Sequence, residues 1–400
     1  MSRAPSCQAG ARTRQSVPHE DWDRPPWNRW TFQHVREFVP TAQVRRGTGP
    51  VTPLPRAVRD LDSISFESDG VRQTVREFLD SSYTDGFLVL HRGRILAEHY
   101  ANDMTESTAH LSQSVAKSVV GSVAGILAAR GMLDLGAPLT HYLPELAPTA
   151  YRGATAQHLL DMTSGVAWDE TYTATDSDCA RMDVACGWKA PKDPTWPRSM
   201  WEQILTLKRT ERPHGQLFAY RSIETDVLGF VLEQVSGVRL PELVSRELWM
   251  PLGAEEDAYF TVDPAGFACA SGGFNATLRD YARFALMLAG GGRIGGHSVV
   301  PAAWIEETRA ANHALFRGTY LEVLPHGGYH NQFWIEDREQ RALMARGVFG
   351  QLIYIDPQAE FAAVKLSSWP EFVSAPRART ALAALRAVRA ALAKTAPGAA

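Results

Sequence analysis

Apolar positions along this 400-residue chain follow two different periods, and each change of period marks an element boundary. The run Gly86-Phe-Leu-Val-Leu-His91, then Arg92-Gly93, then Arg94-Ile-Leu-Ala-Glu-His-Tyr100 predicts two β-strands around a tight turn. A helical segment is expected just before it, at about 70 to 81. From Ser114 the pattern turns helical, with Val115, Val119, Val123, Ile126 and Leu127 on one face and Gly131 as the stop.

The middle third reads as helix and loop. Helices are expected from Thr155 to Met162, Ser222 to Val235 and Leu278 to Leu288, each ending near a glycine, with a loop rich in Asp, Thr and Trp from 166 to 200. Strand signals return only near 330, in Gln332-Phe-Trp-Ile335, Leu343 to Val348, Gln351 to Ile355 and Phe361 to Leu366, before an alanine-rich helix at about 376 to 393. Strands at both ends with helices between them predict an α/β (α+β) fold, in which one sheet is built from both terminal regions and a helical region is inserted. The expected division is 26–110 with 275–400 as the sheet domain and 111–274 as the helical region, with an active site in the cleft between them. Residues 1–25 are polar with no hydrophobic period and read as a leader, order beginning near Trp27.

Composition narrows the function classes. A hydrophobic content of 45% supports a substantial core, and Lys+Arg 41 against Asp+Glu 44 leaves a net charge of -3 with no basic stripe for a phosphate backbone. Nucleic acid is therefore not an expected partner. Cys7, Cys179, Cys186 and Cys269 form no CxxC pair and no disulfide framework, which suits a reducing compartment. Charged residues interrupt the first thirty positions, and no stretch reaches about eighteen apolar residues, so neither signal peptide nor membrane span is expected and the reading is cytoplasmic.

Candidate chemistry begins at Ser114-Val-Ala-Lys117. Hydroxyl and amine at i and i+3 share a helix face, burial would lower the lysine pKa until it serves as a base, and the helix N-terminus favours negative charge at the serine. The competing reading is a surface lysine at the start of a core helix. Tyr220, just ahead of the helix from Ser222, is placed on a loop suited to proton transfer, although such a tyrosine commonly only packs. The segment Ala345-Arg-Gly-Val-Phe-Gly-Gln351 could aim backbone N–H groups into a cleft as an oxyanion hole, or be a simple bulge. Other motifs are set aside. Gly290 to Gly295 matches G-x-G-x-x-G but follows a helix, no G-x-S-x-G or H-E-x-x-H occurs, and Lys394-Thr395 lies in the alanine-rich tail.

Taken together, these segments resemble the serine β-lactamase and penicillin-binding superfamily, and within it the 6-aminohexanoate-dimer (nylon-oligomer) hydrolases and related carboxylesterases. The resemblance also draws on Pro25-Pro-Trp-Asn-Arg-Trp30, Tyr83 to Leu90, Thr225-Asp-Val-Leu228, Gly272-Gly273 with Arg279-Asp280, Gly350-Gln351 with Asp356-Pro357, and Val364-Lys-Leu-Ser-Ser-Trp-Pro370. It implies a β-lactamase/transpeptidase-like fold, a mixed and largely antiparallel sheet flanked by helices. It also implies Ser114 as the acylated nucleophile, Lys117 as base or proton shuttle and Tyr220 as the partner that protonates the leaving group. Ser114 and Val348 would line the oxyanion hole, and Tyr172, Asp183 and Ser271 would contact substrate, Tyr172 at the leaving nitrogen and Asp183 at a free amino group. The chain departs from the group where relatives read H-G-Q and it reads Phe349-Gly350-Gln351, and at Ser271, where a bulkier polar residue can stand. The expectation is hydrolysis of small linear amides or esters through an acyl-enzyme, with no cofactor, no metal, no membrane partner, and a homodimer as the assembly. A β-lactamase or D-Ala-D-Ala peptidase, and an acyltransferase using the same acyl-enzyme, stay open as alternatives.

Overall fold

The computed structural model describes residues 17–394. A seven-stranded sheet runs in the order Gly328–His330, Phe333–Ile335, Leu343–Gly347, Gln351–Asp356, Phe361–Ser367, Thr84–His91, Arg94–Tyr100. Every neighbouring pair in it is antiparallel. The fifth and sixth strands bring together chain segments from opposite ends, with Val364 opposite Leu88 and Ala362 opposite Leu90.

Alternation along these strands feeds two separate cores, which explains why the strands read as unbroken apolar runs. Phe87, Val89, Tyr354 and Ala363 pack with Leu382, Leu385 and Val388 of helix Ala375–Lys394. On the other face Leu88, Leu90, Ile353 and Val364 join the core that contains helix Leu278–Ala289. The predicted hairpin, the helix from Ser114 and the four late strands lie where the periodicity puts them.

Three expectations are corrected. The segment 70–81 is not helical throughout. Strands Ser65–Ser68 and Val71–Thr74 form a hairpin first, and the helix Val75–Ser81 starts where Thr74 and Glu77 make a capping box. Strand structure is also present in the region read as helix and loop: Ala258–Thr261 and Phe274–Thr277 join the earlier strands Thr41–Val44 and Ala109–Leu111 in a second, four-stranded antiparallel sheet. The leader assigned to 1–25 lies outside the described residues as far as 16, but 17–25 are built into the fold. Trp22 is fully buried, stacked on Phe38 and edge-on to Trp188, with its indole N–H donated to the Trp188 carbonyl. Cys179, Cys186 and Cys269 are buried free thiols, and no helix among the described residues is long and apolar enough to cross a membrane.

Helix Val115–Ala129 is buried from Val115 to Leu127, so its glycines are contact surfaces. A Cβ added at Gly125 would lie 2.4 Å from the Trp304 ring. Gly125→Ala is therefore expected to destabilise the protein by about 1–3 kcal/mol from overpacking, which outweighs a helix-propensity gain of at most about 1 kcal/mol. A lowered urea midpoint checks this; an unchanged midpoint would mean the indole steps aside freely.

Candidate active site

Ser114 stands at the N-terminus of helix Val115–Ala129, reached from the short strand Ala109–Leu111 through Gln113, whose φ of 50° is left-handed. Such a backbone state in a non-glycine residue is costly and persists only where neighbours enforce it. One neighbour is Gly347, at the end of strand Leu343–Gly347. A Cβ there would lie 2.5 Å from the Ser112 carbonyl oxygen and 3.0 Å from the Ser114 nitrogen. Only glycine lets this strand edge approach the serine turn so closely. The chain then turns through Val348 and Phe349, with φ 61° at Phe349 and 88° at Gly350.

Lys117 sits one turn after Ser114 and is 2% exposed. Its ammonium donates to Ser114 Oγ at 2.8 Å, to Ser222 Oγ at 3.2 Å and to the Ser271 carbonyl at 2.7 Å. Burial pulls its pKa down to about 8, while the charges of Glu170 and Asp226 work in the opposite direction. The position is that of a lysine able to give up and retake a proton near neutral pH.

Tyr220 ends the loop that leads into helix Ser222–Ser236. Its amide donates to the Tyr320 hydroxyl at 2.9 Å, its ring stacks on Trp334 at 5.5 Å, and Lys117 Nζ lies 5.1 Å from its ring centre. Burial raises the phenol pKa well above the usual tyrosine range, partly offset by a hydrogen bond with Ser114. It is thus held as a neutral phenol. The helix behind it is anchored by buried Arg221, paired with Glu224 at 3.5 Å.

A carboxylate that the sequence reading did not single out completes the cluster. Glu170 Oε1 accepts from Ser222 Oγ at 2.5 Å and from the Tyr172 hydroxyl at 2.9 Å, while Oε2 accepts from the Ser222 amide at 2.9 Å and from the Trp168 indole. Ser222 therefore connects Lys117 to Glu170 through one hydroxyl. The available signal was Ser222 two residues after Tyr220 and Glu170 two before Tyr172, but neither spacing announces a partner fifty residues away.

Two cavities meet at Ser114. The larger, about 490 Å³, is lined by Ser114, Glu170, Tyr172, Tyr220, Arg346 and Val348 together with apolar side chains. The smaller, about 50 Å³, is lined by Ser114, Tyr172, Asp183, Ser271 and Val348 among others. The seven residues singled out from sequence thus surround one point, with Lys117 behind the serine. Burial pushes the Asp183 carboxyl up to about 7, Asp23 reinforces this, and Lys189 and Arg24 oppose it. Ser271 enters mainly through its backbone: its carbonyl accepts from Lys117 and its amide donates to Asp226 at 3.1 Å.

A family profile described as Beta-lactamase matches residues 71–387. A 6-aminohexanoate-dimer hydrolase of Paenarthrobacter ureafaciens is 36% identical over 372 residues, covering 92% of this chain and 91% of the relative. Esterase EstB of Burkholderia gladioli is 30% identical over 188 residues, 46% of this chain and 47% of the esterase. Among solved structures, a Bacillus anthracis protein provisionally assigned as a 6-aminohexanoate-dimer hydrolase superposes with a TM-score of 0.86 at 28% identity, covering 96% of this chain and 99% of that one.

Proposed function

This chain belongs to the Beta-lactamase family and is a serine hydrolase, and we propose that it cleaves small linear amides and carboxylic esters through an acyl-enzyme on Ser114. The observation that carries the reading is the 2.8 Å hydrogen bond between Lys117 Nζ and Ser114 Oγ, made by a lysine whose pKa burial has brought to about 8. In this reading neutral Lys117 takes the Ser114 proton as Oγ bonds to the substrate carbonyl carbon. The amides of Ser114 and Val348 hold the oxyanion. Tyr220, kept as a phenol, passes its proton to the departing nitrogen or oxygen as the bond to the carbonyl carbon breaks, and Lys117 restores that proton. Water then attacks the acyl-enzyme by the same steps in reverse. In the same reading Tyr172 meets the leaving nitrogen and Asp183 a cationic end of the substrate, and both line the cavities at Ser114.

Intact-mass detection of the acyl adduct across short esters, linear amides and penicillins tests the proposal. Adducts from the first two classes with release on water attack are expected. A stable adduct with penicillins alone would favour the penicillin-recognising alternatives, and preferential transfer to added alcohols would favour the acyltransferase.

The pH profile follows from the same geometry. Activity requires Lys117 without its proton, so kcat/KM for a neutral ester is expected to rise with pH through about 8. The Glu170 charge favours the protonated lysine, so Glu170→Gln is expected to move that limb to lower pH. A pH–rate series on the two proteins reads the shift; movement in the other direction would remove Lys117 as the base.

A further inference from the structure

Four segments that stand out in the sequence, Pro25 to Trp30, Tyr83 to Leu90, Gly350-Gln351 and Val364 to Pro370, take no part in the acyl-transfer steps above, yet they meet behind the turn that carries Val348. Gly347 and Gln351 face each other across the strand pair Leu343–Gly347 and Gln351–Asp356, so Val348, Phe349 and Gly350 make a three-residue hairpin loop. Phe349 and Gly350 are both left-handed, and Phe349 lacks the freedom of a glycine to be so. Such a loop keeps one conformation only where its surroundings enforce it.

The Gln351 side chain is buried, and both ends of its amide are engaged by backbone. Oε1 accepts from the Ser367 amide at 3.0 Å, and Nε2 donates to the Ser367 carbonyl at 2.6 Å. The second Nε2 hydrogen is shared by the Val348 and Phe349 carbonyls, each at 3.4 Å. Each of these contacts is weak alone, but turning the peptide planes away would leave a buried N–H without an acceptor. Gln351 touches the wall of the large cavity, but its donors are spent on the backbone, so it acts on a substrate only through the turn.

Ser367, the other end of this bridge, is itself fixed. It closes strand Phe361–Ser367, and the two residues after it are tied down by Asn28 Nδ2, which donates to the Trp369 carbonyl at 2.8 Å, and by Asp85, which accepts from Ser368 Oγ at 2.7 Å. The Phe349 carbonyl accepts from the Trp369 amide at 3.1 Å, and a Cβ at Gly350 would lie 2.3 Å from the Trp369 ring. The Val348 amide thus stands between Gly347, pressed on the serine turn, and a loop whose next two carbonyls are held from behind.

We propose that Gln351 is a positioning residue of the oxyanion hole: by bridging Ser367 to the Val348–Gly350 loop it presets the Val348 amide, so that no loop rearrangement is needed as negative charge develops on the substrate oxygen. The inference rests on the hydrolase reading for the role of Val348, whereas the bridge itself is a matter of geometry.

Exchanging the ester carbonyl oxygen for sulfur reads the oxyanion hole, because sulfur is the weaker hydrogen-bond acceptor. The pair to compare is 4-nitrophenyl acetate and O-4-nitrophenyl thionoacetate, each rate divided by its uncatalysed value. The unmodified protein is expected to favour the oxygen ester by about tenfold or more in kcat/KM, the scale of one charge-assisted hydrogen bond. Gln351→Met, which keeps the volume and removes the donors, is expected to lower kcat for the oxygen ester by about ten- to a hundredfold with KM nearly unchanged, and to bring the oxygen preference close to parity. Gln351→Glu keeps an acceptor for the Ser367 amide and is expected to fall between the two. Gly125→Ala, destabilising but remote from the turn, is expected to leave the preference as it was. A preference unchanged in both Gln351 variants, or lowered as far by Gly125→Ala, would overturn the proposal. If Gln351→Met does not fold, Gln351→Glu decides alone, and a preference equal to that of the unmodified protein overturns it. Hydrolysis of neither ester by the unmodified protein would sink the hydrolase reading; hydrolysis of both without preference would remove the Val348 donor and its brace together; a preference that survives at Gln351 would remove the brace alone.

Discussion

Ser114→Ala is expected to lower kcat/KM for a short-chain p-nitrophenyl ester by about ten-thousandfold or more and to abolish labelling by a fluorophosphonate. The loss should be chemical, because the side chain contributes little to the fold. Lys117 keeps its other two acceptors, Ser222 Oγ and the Ser271 carbonyl, when the Ser114 hydroxyl is removed. The melting temperature should therefore stay close to that of the unmodified protein. Retained activity with retained labelling would place the nucleophile elsewhere.

Lys117→Met is expected to reduce the same rate by about 10²–10⁴, the usual contribution of one positioned acid–base group. Methionine fills similar space and removes a buried charge, which by itself is often neutral or stabilising. Against this, the Ser271 carbonyl is left without its donor, at about 1–3 kcal/mol if no water replaces it. A large loss of rate with a small change in urea midpoint is the expected combination, and comparable losses in both would make Lys117 a structural lysine. Because serine and lysine act on one proton, Ser114→Ala combined with Lys117→Met should be no slower than Ser114→Ala alone. Multiplying losses would contradict the shared step.

What was legible in the sequence follows the length and locality of each signal. The strands Thr84–His91 and Phe361–Ser367 are seven or eight residues long and buried on both faces, so their apolar runs stand out. The second sheet consists of strands of three or four residues such as Ala109–Leu111 and Thr41–Val44, too short to display a period and formed only by distant pairing. Trp22 was hidden for a related reason: one buried indole in a polar stretch has no rhythm. Ser114 and Lys117 were readable because i and i+3 on a helix is a local relation. Glu170 and Arg346 were not, since one becomes part of the cluster through Ser222 and the other through Tyr220 and Trp334.

The pairing of Phe361–Ser367 with Thr84–His91 in the large sheet governs how the chain folds as well as how it works. Lys365 bonds to the carbonyl of Ser82, 283 residues away, so this strand pair forms only by closing a very long loop. Until Gly347 and Val348 have emerged, the serine turn lacks the strand edge that packs against it. Nascent chains would thus carry nucleophile and base without the second oxyanion donor, and folding through such long loop closures should be slow. Catalytic competence therefore waits on the long-range pairing that brings the Gly347 strand edge against the serine turn.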